Sequence, residues 1–445
     1  MNINMPTNPP IAGRFAVRVP PYVMSIALGL LMLAVQKGGL YRPPNYGGFE
    51  PKFTQDAAVE IVHTGRTTMT YHPTGYSYLV ALVYLLLPPL PLSMQFAQIA
   101  SLPLVVWGVG RIAGSFGGAG CRNWGEWCAG LYYPFGYCAT TFNSVYATFL
   151  FATLAIAALL PLLGLGEQAK RSLGRSLLVG FLLGIVACVR PNYSLLGVIF
   201  AVALWRSTRS LWEAVVRSVP IAAVSLGLLL AMTALNPPEP GQFVRGSQAM
   251  NGSLLKGTYE YTHTWWDWDW SWARSDPGYQ DYRSHLDRIE AETGKPYTDP
   301  ASQAVVAREA WKRILGLPGN TLKKMLISTV RVWILIPTQL HSMPVKVAIA
   351  LQEFLLLGLA LAGLVGLWGE RGLFLLAAGV MLVPTVEHWF LHVEPRYSLP
   401  ARGVELALAA VTVAGIWRRL RAPNASIESN APSSPSRLAT TPGTS

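Results

Sequence analysis

The sequence predicts an all-α polytopic integral membrane protein, and three observations carry that prediction. Of 445 residues, 51% are hydrophobic and only 13% are charged, about half the charged share of a soluble domain. Apolar runs recur along the chain, several reaching the roughly 17–25 residues that a helix needs to cross a bilayer. These runs are continuous, whereas the strands of a membrane β-barrel alternate apolar and polar residues in segments of about ten, so a barrel is excluded.

Taken in order, the runs lie near 22–38, 76–91, 94–111, 126–140, 144–165, 177–189, 192–205, 218–236, 326–338, 347–368, 372–386 and 400–417. Arg14 and Arg18 precede the first in the manner of an uncleaved signal anchor. The clusters Arg14/Arg18, Arg111/Arg122, Lys170/Arg171/Arg175, Arg206/Arg209/Arg217 and Arg418/Arg419/Arg421 belong on the cytoplasmic side if the positive-inside rule holds. Counting every run as a crossing breaks that rule. It is restored if 76–91, which ends in Pro88-Pro89-Leu90-Pro91, is re-entrant or surface-lying, and if 326–338 is an amphipathic helix on the outer interface. About ten crossings remain, in the plasma (inner) membrane, with both termini cytoplasmic.

The domain plan follows. Residues 1–21 form a cytoplasmic N-terminus. Residues 22–236 form a transmembrane module whose first outer loop is 39–75. Residues 237–345 form a large outer loop with a Trp-rich segment and an interfacial helix. Residues 346–420 hold the last crossings, and 421–445, rich in Ser, Pro and Thr, read as a disordered cytoplasmic tail. Within the first outer loop, Phe53, Ala57, Ala58, Ile61 and Val62 recur at helical spacing behind Glu50, and Gly65 is a natural C-cap. A second outer helix is expected over 301–316, after Thr298-Asp299-Pro300.

The net charge of +12 comes from Lys and Arg set between apolar runs. No basic patch with a nucleic-acid motif accompanies it, so nucleic acid is not an expected partner. Cys121, Cys128, Cys138 and Cys188 fall in or beside apolar runs and read as small core residues rather than a disulfide framework.

Parity places an unusual set of side chains at the outer face. Glu50 and Asp56 are in the first loop, and either can serve as a proton-accepting carboxylate; both also suit a solvated helix face. Arg190 lies between two short apolar runs, and Arg396 and Tyr397 just before the last one. Forked guanidinium donors suit a lipid phosphate, while an interfacial arginine that snorkels to headgroups gives the same pattern. Glu387, His388 and Glu394 flank the second arginine and are candidates for substrate contact; His388 and His392 are spaced one helical turn apart, as metal ligands can be. Asp267-Trp268-Asp269 is an Asp-x-Asp of the kind that holds a divalent cation, Mg2+ or Mn2+. The alternating tryptophans around it equally describe an interfacial aromatic belt or a stacking surface.

These motifs, in this order, resemble the GT-C glycosyltransferases of family 39, which include protein O-mannosyltransferases and the lipid A aminoarabinose transferase. The resemblance runs over about 20–417. It is carried by Glu50, Phe53, Ala58, Ile61 and Gly65, then His72-Pro-Thr-Gly-Tyr76, Arg190-Pro191, the stretch Ala304–Pro318, and Arg396-Tyr-Ser-Leu-Pro400. It implies a GT-C fold and an inverting transfer of a sugar from a polyprenyl-phosphate donor to a glycan, lipid or protein acceptor, on the outer face of the membrane. Glu50 would be the base. Arg190, Arg396 and Tyr397 would bind the donor phosphate, and His72, Tyr76, Asn143, Glu387, His388 and Glu394 would contact substrate. The chain departs from the pattern in two places. Relatives carry paired acids where this chain has Glu50-Pro51, and an acid near the helix start where this chain has Phe142-Asn143-Ser144. A flippase of lipid-linked sugars and a non-catalytic scaffold of the same fold are the alternatives.

Overall fold

The computed structural model describes residues 20–35, 49–68, 73–142, 144–164, 172–208, 210–238, 248–262, 277–334, 343–393 and 395–421. Among these residues there are seventeen α-helices and no strand. Five helical stretches are long and apolar enough to cross a membrane: Pro91–Gly117, Ser144–Leu163, Leu211–Leu235, Val347–Gly366 and Arg396–Arg421. Over the described residues it is an all-helical membrane protein. Of the expected tail, 421–445, only Arg421 is described, as the last residue of a helix; the rest lies outside the described residues.

The centre of the bundle is α4 (Pro91–Gly117), α7 (Ser144–Leu163) and α17 (Leu399–Arg421), which contact one another. α1 (Pro21–Val35) lies on α4, and α15 (Met343–Gly366) lies on α17. α8 (Ser172–Val189) joins α7 to α10 (Leu211–Leu235), and α9 (Leu195–Thr208) pairs with α16 (Arg371–Glu387). In lipid there is little hydrophobic drive between helices, so contact rests on close packing and hydrogen bonds.

Three runs behave differently from a simple crossing. The run 126–140 is two stacked helices, α5 (Ala119–Leu131) and α6 (Tyr133–Ala139), parted at an extended Tyr132. Pro134, in the first turn of α6, has no N–H to continue a helix from below. The run 76–91 forms only α3 (Gly75–Tyr84) before the Pro88-Pro89 turn. Ten residues span about 15 Å, half the hydrocarbon core, so α3 is too short to cross. The run 326–338 begins earlier than expected, as α14 (Pro318–Arg331), with Lys324 and Arg331 buried against protein.

The two ends of the bundle differ in chemistry. At one, Arg122 meets Glu126 at 2.9 Å, Arg217 donates to Leu162 O at 2.5 Å, and the Trp124 and Trp417 rings touch edge to face. Arg206 and Arg371 flank the place where the end of α9 meets the start of α16, at Ser207 and Gly372. At the other end, the end of α8 meets the starts of α3, α7 and α17. A Cβ on Gly75 would stand 2.3 Å from Cys188 O, so only glycine lets α3 start this close to α8. Gln95 and Gln98 of α4 donate to Thr140 O and Ala139 O at 2.6 and 2.9 Å, which ties the top of α6 to the same end.

The helix expected in the first loop, α2 (Phe49–Thr64), forms as the spacing predicts, with Gly65 following at φ 73°. Ala58 and Ile61 pack with Val80, Tyr84, Phe142 and Val189, so α2 lies over this second end. Thr67 N donates to Asn236 Oδ1 at 3.3 Å, bringing the end of α10 there as well.

Residues 248–262 and 277–331 build a small helical layer of α11 (Gln248–Gly257), α12 (Pro277–Thr293), α13 (Pro300–Gly316) and α14. Leu255, Tyr259, Leu286, Ile289, Val306 and Ala310 form its core. Asp299 caps α13 by accepting from Ala301 N at 2.9 Å, as Thr298-Asp299-Pro300 foretells.

Candidate functional site

The site is built on a helix break. Pro191 disfavours helical backbone at the residue before it, and Arg190 is extended, at φ −144° and ψ 94°. α8 therefore stops at Val189, a 3-10 turn Pro191–Ser194 follows, and α9 starts at Leu195. A second 3-10 turn, Pro395–Ser398, leads into α17 and carries Arg396 and Tyr397.

The two turns meet. The Arg190 guanidinium stands 4.4 Å from the centre of the Tyr397 ring, and that of Arg396 5.4 Å from the same ring. Tyr193 Oη donates to Tyr397 O at 2.5 Å, joining the turns directly. His388 stacks on Tyr397, with centroids 5.3 Å apart and planes at 28°. Asn192 Nδ2 donates to Glu387 Oε1, and Glu387 Oε2 is buried with no hydrogen-bond partner among the described residues. Arg190 Nε also points at Ser144 Oγ, 3.4 Å away, at the start of α7. The arrangement joins two fixed cations, a π-face and a carboxylate. Cations of this kind bind a phosphate through charge-assisted hydrogen bonds, and a buried carboxylate oxygen can accept from a hydroxyl.

The expected site residues fall into three groups. Arg190, Arg396, Tyr397, Glu387 and His388 come together. Asp56 is exposed on α2, and Tyr76 is buried with its hydroxyl donated to Gln98 at 3.0 Å. Tyr76 thus lies in the protein interior. His72, Asn143, Glu394, Asp267 and Asp269 lie outside the described residues, as does the Glu50 side chain, although its backbone opens α2. Glu50 is about 12 Å along the helix axis from Ala58, which packs beside Val189.

The helical spacing of His388 and His392 is not realised as a shared face. α16 ends at Glu387, and the two imidazoles turn to different partners: His388 Nδ1 to Pro384 O at 2.6 Å, and His392 Nδ1 to Glu260. Among the described residues no group of three His, Cys, Asp or Glu side chains is placed to hold a metal ion. The cation expected at Asp267 and Asp269 lies outside the described residues.

Beside the site is a cluster that sequence reasoning missed. Glu260, His392 and Lys324 are all buried. Burial alone would raise the Glu260 carboxyl, but His392, Lys324 and Arg331 overturn that and hold it well below the usual range. Burial pushes Lys324 down to about 7 against the opposing pull of Glu260. The available signal was Lys324, a lysine buried in α14.

No family model and no curated protein sequence matches the chain. Solved structures do.

The fold is similar to that of an archaeal oligosaccharyltransferase.

The apo Archaeoglobus fulgidus oligosaccharyltransferase aligns at TM-score 0.55 with 11% identity, over 90% of this chain and 50% of its own. The same organism's oligosaccharyltransferase AglB, solved with an inhibitory peptide and a dolichol-phosphate, aligns at 0.51 with 10% identity, over 92% and 52%. A form tethered to an acceptor peptide aligns at 0.51 with 11% identity, over 89% and 50%. This chain spans about half the length of those proteins. At such identity the likeness is one of fold alone.

Proposed function

We propose that the protein is a membrane glycosyltransferase that moves a sugar from a polyprenyl-phosphate donor to an acceptor at the outer face of the membrane. One observation supports this reading above the rest: the guanidiniums of Arg190 and Arg396, from opposite halves of the chain, gather on the Tyr397 ring at a helix break. The fold's likeness to an enzyme that was solved with a dolichol-phosphate is the second support.

In this reading the carrier phosphate lies on Arg190 and Arg396, with its isoprenoid tail between helices. Glu50 takes the proton of the acceptor nucleophile as it attacks the anomeric carbon. The bond from that carbon to the phosphate oxygen breaks, and the phosphate leaves with the electron pair, inverting the centre. Fixed cations stabilise the charge that grows on the leaving phosphate, and one base suffices for a single displacement. Glu387 and His388 border the sugar, with Asn143, His72 and Glu394 as further contacts. A divalent cation, if used, belongs to Asp267 and Asp269.

The topology we propose has ten crossings: α1, α4, the α5–α6 pair, α7, α8, α9, α10, α15, α16 and α17. The arginine-rich end is cytoplasmic, following the positive-inside rule. The likeness to family 39 rests on the sequence motifs.

The deciding experiment incubates the purified protein with radiolabelled polyprenyl-phosphate sugars and follows release of free lipid phosphate. Release with sugar transfer is expected, and Glu50→Gln is expected to abolish it while carrier binding persists. A fully active Glu50→Gln protein rejects the assignment. Movement of intact donor across the bilayer would identify a flippase, and binding without turnover a scaffold.

A further inference from the structure

The segment 388–393 joins Glu387 to the turn that carries Arg396 and Tyr397, and the outer helical layer grips it at nearly every residue. Lys324 of α14 donates to His388 O at 2.7 Å and to Leu391 O. Glu260, in the 3-10 turn after α11, bonds His392 Nδ1 and accepts from Val393 N at 3.0 Å. Lys256 meets His392 Nε2 at 3.0 Å, and His392 N donates to Ser253 O at 2.9 Å. A Cβ on Gly257 would stand 2.3 Å from Phe390 O, so the backbones touch. Glu260, Lys324 and His392 are 2%, 3% and 6% exposed.

This grip is continuous with the phosphate cradle. Lys324 fixes the backbone of His388, the His388 ring stacks on Tyr397, and Tyr397 faces both guanidiniums. Burying a glutamate and a lysine is costly unless each is fully bonded. An apolar contact would have anchored the outer layer without that cost. A charged network instead fixes one register of the segment, because its partners are directional.

We propose that Glu260 and Lys324 are positioning residues: through His388 and His392 they hold Arg396 and Tyr397 where, with Arg190, they bind a polyprenyl phosphate. This rests on the phosphate-site reading above. The outer layer is then part of the donor site's construction, and a change on it propagates to donor affinity. Misplacement by an ångström at a site of this kind costs up to about a hundredfold.

The test measures binding of undecaprenyl phosphate to the full-length protein in nanodiscs, with Glu260→Gln, Lys324→Met, Lys324→Arg, Arg190→Ala and Arg396→Ala. Glu260→Gln and Lys324→Met are each expected to weaken binding by about tenfold or more, and Lys324→Arg by less. Added to Arg396→Ala, neither is expected to weaken it much further, because a positioning residue acts through the group it positions. Folded Glu260→Gln and Lys324→Met proteins that bind as wild type overturn the inference. So do effects that add in full to Arg396→Ala, and so does failure of both variants to fold, which would make the cluster a stability element alone. If Arg190→Ala and Arg396→Ala themselves bind as wild type, the phosphate-site reading falls and takes this inference with it.

Discussion

The Tyr397 ring lies 4.4 Å from the Arg190 guanidinium, although one residue sits in the turn before α17 and the other just past the end of α8. A side chain as long as arginine has many rotamers, and an aromatic face restricts them. The ring therefore restricts Arg190, with the Arg396 guanidinium 5.4 Å from the same ring centre. Preorganisation of this kind lowers the entropy cost of binding.

Arg190→Ala and Arg396→Ala are expected to raise the donor KM. A charge-assisted hydrogen bond contributes about 1.5–3 kcal/mol, so each loss is read as roughly a 10- to 150-fold change. Arg190→Lys keeps the charge but loses the planar fork and its stacking, and is expected to fall between alanine and wild type. Steady-state kinetics with a polyprenyl-phosphate sugar checks this; equal KM values for all three would remove the arginines from the donor site.

Tyr397 separates the ring from the hydroxyl. Tyr397→Phe keeps the face on which Arg190 and His388 lie and is expected to retain donor affinity. Tyr397→Leu loses a cation–π contact worth about 0.5–2 kcal/mol and is expected to weaken donor binding by about 2- to 30-fold. A titration of both variants against undecaprenyl phosphate decides it: a phenylalanine variant as weak as the leucine variant would assign the effect to the hydroxyl.

Much of the architecture could be read from the chain because its causes are local. Apolar runs, Gly65 and Asp299 set elements by themselves, and Arg190-Pro191 announced its own helix break. The meeting of Arg190 with Arg396 and Tyr397 was legible only as parity, since both flank runs that should end at the same face. The glutamate grip on His392 was not legible at all. Its partners come from α11, α14 and the segment after α16, and no periodicity links them. His388 and His392 misled for a related reason: their spacing is helical, but α16 stops one residue before the first. The run 126–140 hid its break because Pro134 sits at a helix start, where proline is tolerated.

Glu260 also gives the outer layer an acid dependence. Its folded carboxyl lies below the reference value of 4.5 because of His392, Lys324 and Arg331. The ionised group therefore stabilises the fold above pH 4.5 while Lys324, pushed down to about 7, keeps its proton, and that contribution fades as pH falls from 4.5 toward the folded value. The gap in thermal stability between wild type and Glu260→Gln is expected not to shrink between neutral pH and 4.5, and to shrink below it. Unfolding scans of the two proteins across that range are the measurement. A gap that closes already at neutral pH would mean that the carboxylate is not ionised in the folded protein.

Two of the apolar runs, 347–368 and 400–417, carry fully buried charges. Arg402 of α17 is fully buried and bonds Glu405 at 2.7 Å, Glu353 of α15 at 2.8 Å, Ser398 Oγ at 3.1 Å and Trp333 O. Tyr132, at the break between α5 and α6, donates to Glu353 at 2.9 Å. One arginine thus ties α15, α17 and the broken crossing together at the turn below Arg396. Arg402→Met leaves two carboxyls in the core without their cation, and removing one side of a buried pair costs about 3–5 kcal/mol. Glu405→Gln is milder, because Glu405 Oε1 has no hydrogen-bond partner among the described residues and the amide oxygen can still accept from Arg402. The triple change Arg402→Met, Glu353→Gln, Glu405→Gln removes the charges together and is expected to recover most of the loss, since a neutral core of similar volume tolerates what a half-broken pair does not. Thermal unfolding in detergent ranks the three: Arg402→Met lowest, the triple variant above it, and Glu405→Gln nearest wild type. An Arg402→Met protein as stable as wild type would show that the network is dispensable to the bundle.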